Sequence, residues 1–423
     1  MSKKICFFLL NFIPLITFSQ LKVAMKHVEK LTSPEMHGRG YVNGGDSIAA
    51  EYIAKQFELL GLKKINSSFF QLFSFPVNTF PDSIRVNING KNLIPGVDYI
   101  VDPASHEVQG NFNPVVGGPE ILEPKNGIGM FDHDTSYYAV FVDVTKTEKE
   151  KIKETEKNIY QNDIANQYPI IKLVNSKFTW SVSTEVSHKA VLEIQKKSID
   201  SVIHSVYIHI NNRFIEQHKT RNVMGVIKGK NKKAKAIVIT AHYDHLGRMG
   251  GNTYFPGCND NASGVAMLLD LAKYYSENKP EQDIYFIAFA GEEAGLIGSR
   301  YFVQNPVFSL EKIRFLVNLD LLGTGSEGIT VVNATKHEKE FELLKKINTE
   351  NDFLTAIKPR GEAANSDHYW FSQKGVPAFF IYTLGGAKAY HDVDDKFGSP
   401  DFSEFEDVSS LLKKFIQQVS LLK

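Results

Sequence analysis

The second half of the sequence places imidazole and carboxylate side chains in the segments that follow short apolar runs. Imidazole nitrogens and carboxylate oxygens, without thiolates, form a ligand set that suits zinc and also accepts cobalt or manganese. Two such ions about 3.5 to 4 Å apart can hydrolyse a substrate with a shared water. Such a pair needs one carboxylate that bridges the ions and another that takes the proton of the water. The sequence supplies enough groups for five ligands and one base: His242, Asp260, Glu292, Glu293, Asp320 and His391.

The elements that must position these groups are predicted from the hydrophobic pattern. After Arg221 apolar strands alternate with amphipathic helices, which is typical of a mostly parallel sheet covered on both faces. Functional groups in such open sheets lie beyond the carboxyl ends of the strands, so we expect the six side chains to meet at one edge of a three-layer α/β sandwich. The predicted strands are "NVMGVIKG", "AIVITA", "DIYFIAFA", "IRFLVNLD", "ITVVNA" and "VPAFFIY", and the predicted helices are "GVAMLLDLAKYYSEN", "AGLIGSRYFVQ", "KEFELLKKINTEN" and "FSEFEDVSSLLKKFIQQVSLL".

Each of the six side chains also has an ordinary structural explanation when taken alone. A histidine after a strand is commonly a hydrogen-bonded loop residue, and paired glutamates commonly mark a solvated helix start. The convergence of two imidazoles and four carboxylates at one edge favours a metal centre over these separate explanations.

The first half of the sequence has a different texture. The segment "DSIAAEYIAKQFELLGL" predicts a helix with Asp46 as its N-cap and Gly61 as its stop. Residues 67–220 contain short β-branched and aromatic runs and one charged helical patch, "KTEKEKIKETEKNIY", which indicate a β-rich inserted domain. The predicted organisation is therefore an α/β domain formed by residues 20–66 and 221–423, interrupted by this insertion.

The first residues, "MSKKICFFLLNFIPLITFSQ", have a lysine pair, a short apolar run and then small residues. This layout is typical of a secretory signal peptide over residues 1–19, cleaved after Ser19. The alternative is a retained membrane anchor, but the run is short and broken for a span. We therefore expect a periplasmic or secreted protein without stable membrane insertion. Removal of Cys6 with this segment would leave Cys258 as the remaining cysteine.

The charge composition bears on the class of partner. The 423 residues carry 48 basic and 48 acidic side chains, a formal net charge of +0. No run of Lys and Arg alternates with aromatic residues, so nucleic acid is an unfavoured partner.

Several motifs resemble those of the co-catalytic dizinc aminopeptidases, peptidase family M28, which include bacterial leucyl aminopeptidases and, more distantly, plasma glutamate carboxypeptidase. The resemblance covers roughly residues 30–62 and 220–420 and is weak in between. It implies the zinc exopeptidase fold, and for the inserted segment it raises the possibility of a divergent protease-associated domain. The motifs are "EMHGRGYVNGGDSIAAEYIAKQFELLGL", "AHYDHLG", "PGCNDNASG", "FAGEEAGLIGSRYF", "NLDLLG", "NSDHYWF" and "YHDVDD".

This resemblance implies a ligand set for two zinc ions. His242 and Asp320 would hold one ion. Glu293 and His391 would hold the other, and Asp260 would bridge the two.

The resemblance also implies the reaction. Glu292 falls on the family's general base, which takes a proton from metal-activated water and passes it to the leaving amine. The expected function is an exported zinc-dependent aminopeptidase that acts on peptides with a free N-terminus, with an apolar first residue as the default specificity.

Supporting roles follow from the same likeness. Asp244 would accept a hydrogen bond from the ring of His242. Asp395, or alternatively Asp394, would be a supporting carboxylate near the second ion. Asp367 lies in a motif with a supporting or substrate-side role.

Two other functions on the same fold remain as alternatives. A glutaminyl cyclase works with one zinc ion and performs an aminoacyl transfer, but "NDNASG" follows the aminopeptidase version of its loop, and the chain after Glu292 lacks the insertion typical of cyclases. A non-catalytic binding protein would have lost its ligand set, whereas all six positions are filled here. His245 competes with His242 for the first ligand position, and a polar loop role is favoured for it.

Overall fold

The computed structural model describes residues 14–122, 137–161, 167–200 and 202–422. Most of the predicted signal peptide, residues 1–13, lies outside these ranges, so the signal and its cleavage stay predictions. Among the helices described, none has the length and apolar character that a bilayer span requires.

The secondary-structure elements follow one another in this order. The helices are α1 Pro14–Leu31, α2 Gly45–Leu59, α3 Lys149–Gln161, α4 Gly264–Glu277, α5 Ile297–Gln304, α6 Glu338–Asn351, α7 His368–Gln373 and α8 Phe405–Val419. The strands are β1 Phe70–Thr79, β2 Arg85–Ile88, β3 Lys91–Asn92, β4 Tyr99–Val101, β5 Val108–Gly117, β6 Tyr138–Asp143, β7 Ile170–Val174, β8 Val191–Gln195, β9 Val206–Ile210, β10 Arg213–Ile227, β11 Ala236–His242, β12 Gly247–Met249, β13 Thr253–Phe255, β14 Ile284–Phe289, β15 Ile313–Leu319, β16 Ile329–Val332, β17 Ile357–Pro359 and β18 Ala378–Thr383.

The main sheet has the strand order β1-β10-β14-β11-β15-β18-β16-β17. Its centre, from β14 to β18, is parallel, whereas β1, β10 and β16 join antiparallel. Alternate residues of β11 enter two separate apolar clusters, because Ile237 and Ile239 pack with α4 and α8 on one face, and Val238 packs with α5 and α7 on the other. The predicted three-layer α/β sandwich is confirmed, with strands buried on both faces as their apolar sequences require.

A second sheet has the order β3-β2-β9-β5-β6-β7-β8-β4. It has its own apolar cluster, which includes Ile159 of α3 and Phe141 of β6. The antiparallel pair formed by β1 and β10, however, belongs to the main sheet. The strands of the second sheet therefore run from residue 85 to residue 210, inside the predicted boundaries of 67 and 220, and the division of the chain into domains stays a prediction.

The predicted cap of α2 is wrong. The helix begins at Gly45 with Gly44 as its N-cap, and Asp46 lies in the first turn. The buried carboxylate of Asp46 instead lies 2.7 Å from His218 Nε2 and accepts a hydrogen bond from the hydroxyl of Thr220 at 2.7 Å. These contacts link α2 to β10. Because the carboxylate of Asp46 is engaged by β10, it does not cap its own helix.

Replacement of Gly298 by alanine tests how tightly α5 is packed under the end of β14. A Cβ at Gly298 would lie 2.1 Å from the carbonyl oxygen of Ala290 and 2.5 Å from Oδ1 of Asn222. Since backbone must move to relieve the first contact, we expect Gly298→Ala to lower the free energy of unfolding in urea by about 1–3 kcal/mol. Gly251→Ala is the control, because its Cβ meets no described atom within 4 Å. Equal losses in the two variants would contradict the packing.

Candidate metal centre

The six side chains selected from the sequence line a single cavity of about 510 Å³. His242 ends β11, Asp320 directly follows β15, and Glu292 comes three residues after β14, so three of them are delivered by carboxyl ends of parallel strands. Asp260 lies in the turn Cys258–Ser263 that leads into α4, and the peptide bond after it is cis. The full set is His242, Asp260, Glu292, Glu293, Asp320 and His391.

The two oxygens of Asp260 face two different groups of side chains. Its Oδ1 lies 3.4 Å from Nε2 of His242, and that nitrogen lies 3.4 Å from Oδ1 of Asp320. Its Oδ2 lies 3.1 Å from Nε2 of His391, and that nitrogen lies 3.2 Å from Oε2 of Glu293. The arrangement is two clusters of nitrogen and oxygen donors that share one carboxylate.

These donor distances fit metal ions. One imidazole N–H can point well at only one of two carboxylates, and 3.4 Å is long for a hydrogen bond. Oδ1 of Asp320 is buried and has no hydrogen-bond partner among the described residues. Ligand atoms about 2.0–2.2 Å from a tetrahedral zinc ion lie roughly 3.3 Å from one another, which matches the spacing seen here. The residues present therefore fit a divalent cation in each cluster.

Burial shapes the electrostatics of the cavity. It raises the pKa of Glu292 well above its usual range, and the charge of Asp367 raises it further. Burial also acts to raise the pKa of Asp260, but the neighbouring imidazoles of His242 and His391 outweigh it and hold this pKa well below the usual value. Asp260 is thus kept ionised by the groups that would share a cation with it.

His245 lies in the second cluster. It is fully buried, and its Nδ1 lies 2.6 Å from Oε1 of Glu293. Ligand-capable atoms of His245, Asp260 and Glu293 all lie within 4.8 Å of one another. From the sequence His245 competes with His242 for the first ligand position, but the two imidazoles belong to different groups of ligand-capable atoms, which have Asp260 in common. The feature of the sequence that could have placed His245 at the metal centre is its position three residues after His242 in "HYDH".

Asp244 lies at hydrogen-bond distance from the ring of His242, as expected, but through its backbone carbonyl rather than its carboxylate. Nδ1 of His242 lies 3.1 Å from the backbone carbonyl oxygen of Asp244, and 3.9 Å from the carboxylate. The carboxylate is occupied elsewhere: it accepts hydrogen bonds from the hydroxyl of Tyr41 at 2.7 Å and from the backbone N–H groups of Glu292 and Glu293. The carbonyl still orients the ring, because it directs Nδ1 away from the cluster and Nε2 towards it.

Asp395 supports the loop that carries Asp260. Its carboxylate accepts hydrogen bonds from the backbone N–H groups of Asn259 at 2.9 Å and Asp260 at 3.0 Å. The alternative, Asp394, is exposed and pairs with Lys396. Of the two aspartates, Asp395 is therefore the one that positions the shared carboxylate.

Arg39 also holds this loop. Apart from the likeness of "EMHGRG" to a family motif, no pattern in the sequence singles it out. Its side chain is completely buried. All of its hydrogen bonds go to backbone carbonyl oxygens, with donor–acceptor distances from 2.6 to 3.3 Å. The carbonyl groups belong to Leu31, Tyr243, Pro256, Gly257 and Asp260.

A chain of hydrogen bonds reaches Asp320. The hydroxyl of Ser366 donates to Oδ2 of Asp320 at 3.2 Å, and it accepts from the side-chain amide of Asn318 at 2.8 Å. Thr240 donates to the same amide at 2.6 Å. Asp367 is fully buried beside this chain, and burial raises its pKa to about 7. Within the "SDH" motif, Ser366 is the residue that contacts a candidate ligand directly.

His391 is held by a segment of the chain between β7 and β8. Its Nδ1 lies 2.8 Å from the carbonyl oxygen of Trp180, and the N–H of Trp180 donates to the carbonyl of His391 at 2.9 Å. The indole ring stacks on Phe255 at 4.6 Å and donates to the carbonyl of Val101 at 2.7 Å. The second sheet therefore takes part in orienting His391, a contact between distant segments that no local pattern announces.

Comparisons with known proteins relate this chain to peptidases. The model of Peptidase family M28 matches residues 222–416. Aminopeptidase YwaD of Bacillus subtilis (strain 168) is 27% identical over 239 residues, 54% of this chain and 48% of that protein. A probable zinc metalloprotease of Pyricularia oryzae is 36% identical over 114 residues, 26% of this chain and 23% of that protein. The matched regions thus span less than half of these relatives' own lengths.

The fold comparison extends over nearly the whole chain. The structure of BSAP, a zinc aminopeptidase from Bacillus subtilis, matches with a TM-score of 0.64 at 18% sequence identity. The match covers 94% of this chain and 93% of that chain. At this identity the likeness concerns the fold alone, which it confirms.

Replacement of the shared carboxylate tests whether Asp260 serves two ions. Asp260→Asn keeps the size of the side chain and removes its charge, so we expect zinc content to fall at both sites together rather than at one. Metal analysis and calorimetric zinc titration measure this. Asp394→Asn, an exposed aspartate nearby, should retain the wild-type zinc content. Loss of a single ion per chain from Asp260→Asn would contradict a bridging role.

Replacement of Arg39 by lysine isolates its hydrogen bonds from its charge. A lysine has three donors on one nitrogen and leaves buried carbonyl groups unpaired, which costs about 1–3 kcal/mol for each group. We expect Arg39→Lys to lower the free energy of unfolding by about 2–5 kcal/mol and to weaken zinc binding. Arg221→Lys is the control, because Arg221 pairs with the exposed Glu51. A loss no larger than that of the control would argue against the clamp.

Proposed function

Because the model of peptidase family M28 matches residues 222–416, we propose that the protein is a zinc-dependent aminopeptidase of this family that hydrolyses the N-terminal residue of peptides. The observation that carries the proposal is the shared carboxylate of Asp260, with one imidazole at each of its two oxygens. Two ions held in this way form a hydrolytic arrangement known to act on carbonyl substrates.

The ligand assignment is part of the proposal. His242 and Asp320 would hold one zinc ion, Glu293 and His391 the other, and Asp260 would bridge them. Cobalt or manganese could substitute, since the donors are nitrogen and oxygen. When bound, the ions supply Lewis acidity and lower the pKa of water.

The remaining steps belong to the chain's own side chains. Glu292 lines the cavity beside the clusters, and no Lys, Arg or His nitrogen of the described residues lies within 4.0 Å of its carboxylate. It would take the proton of the attacking water and deliver it to the leaving amine. The carboxylates of Glu292 and Glu293 would also attract the substrate's ammonium group. No covalent acyl-enzyme is part of this mechanism.

Location is a further part of the proposal. The lysine pair and apolar run in residues 1–19 support export, to the periplasm or out of the cell. Peptides with a free N-terminus in that compartment would be the substrates.

Glu292→Gln tests the base. The amide cannot accept the proton, so we expect kcat to fall about 10²–10⁴-fold on aminoacyl anilides while the zinc content per chain stays unchanged. Glu338→Gln, at an exposed position on α6, should keep wild-type activity. A Glu292→Gln protein that cleaves these substrates at near wild-type rate would falsify the assignment of the base.

The same assays separate the alternatives. An aminopeptidase loses activity with a chelator, regains it with zinc and spares an N-acetylated peptide. A glutaminyl cyclase would instead release ammonia from a peptide with N-terminal glutamine and carry one zinc ion per chain. A binding protein would show neither activity.

A further inference from the structure

The candidate cavity is lined by groups of opposite charge. Its lining includes the acidic side chains around Asp260, together with Leu321, Phe380 and Tyr382. Among the described residues that line the cavity, Arg360 is the one with a permanent positive charge. A ligand that fills this cavity can thus meet both carboxylates and a guanidinium group.

The backbone of Arg360 is fixed in place. The residue directly follows β17, its N–H donates to the carbonyl of Val331 at 2.9 Å, and its own carbonyl accepts from the N–H of Ala334 at 3.1 Å. Both contacts are to β16 or the residues just after it, and β16 pairs with β18. The side chain of Arg360 therefore projects from backbone that is hydrogen-bonded at the end of a strand.

The guanidinium group of Arg360 has donors to spare. Its Nη1 donates to the hydroxyl of Tyr382 at 3.2 Å, and no carboxylate of the described residues lies within 4.0 Å of it. A guanidinium group has five N–H donors in a planar fork that matches the two oxygens of a carboxylate. Because the hydroxyl of Tyr382 accepts from Arg360, its own hydrogen can point at the same carboxylate.

We propose that Arg360 makes this protein select an acidic first residue, glutamate or aspartate, whose side-chain carboxylate binds Arg360 and Tyr382. The proposal rests on the aminopeptidase function proposed above, and it replaces the default expectation of an apolar first residue. The ammonium group of the substrate faces Glu292 and Glu293 while its side-chain carboxylate faces Arg360. The two charges of the substrate would thus each meet an opposite charge in the cavity lining.

The apolar residues of the cavity lining have a matching role. Leu321 and Phe380 line the cavity and suit the methylene groups of an acidic side chain. They offer no partner to a charge, so a carboxylate is satisfied only at Arg360. An uncharged glutamine side chain of the same shape would leave the guanidinium group less well paired.

The decisive measurement compares glutamyl and glutaminyl anilides, which differ in charge but not in shape. We expect Arg360→Gln to lower the kcat/KM ratio of the glutamyl to the glutaminyl substrate about 10-fold at low salt, since the pair is partly exposed and screened. Lys358→Gln is the matched control, because it removes an exposed positive charge two residues away that does not line the cavity. Its ratio should equal that of the wild type. Arg360→Glu should reverse the preference towards a lysyl anilide.

Three outcomes would overturn the proposal or separate it from the proposed function. An unchanged ratio in Arg360→Gln overturns it. A loss confined to free dipeptides also overturns it, because anilides lack the C-terminal carboxylate that Arg360 would then be binding. If the wild type cleaves no anilide, the proposed function is wrong, and calorimetric binding of glutamate against glutamine by wild type and Arg360→Gln decides the role of Arg360 by itself.

Discussion

The buried guanidinium group of Arg39 is the constraint on which the metal edge of this structure depends. A charge removed from water must be compensated, and Arg39 is compensated by carbonyl groups of three separate segments rather than by a single carboxylate. The end of α1, the turn after β11 and the loop before α4 can therefore take one relative position. This arrangement positions the backbone of Asp260, whose carbonyl accepts from Arg39 and whose N–H donates to Asp395.

Several carboxylates lie close together at this edge of the sheet, and each has a different role because its hydrogen-bond partners differ. Asp244 fastens the backbone of the two glutamates to Tyr41, whereas Asp395 grips the N–H groups of the Asp260 loop. Asp244 and Asp395, which are not proposed ligands, thus position Glu293 and Asp260, which are. Burying several carboxylates together costs free energy when no cation is bound. We therefore expect metal binding at this cluster to raise the free energy of unfolding.

The sequence predicted the layers of the main fold and the edge where the six side chains meet, because both follow from the period of apolar residues and from the ends of strands. Their roles stay proposals. What the pattern could not predict are contacts made through backbone groups of distant segments, such as the carbonyl of Trp180 at His391. Asp46 failed as a cap for the same reason, since its partner is a strand 172 residues away. Local propensity carries no information on such partners.

The pairing of Trp180 with His391 also makes the second cluster depend on a contact that is slow to form. The two residues are 211 positions apart, so the chain entropy of a long loop opposes their hydrogen bonds. The indole of Trp180 is in turn held by the carbonyl of Val101 on β4, so the second sheet has to be in place for Trp180 to orient His391. We therefore expect the second cluster to be completed late in folding, after both sheets have formed.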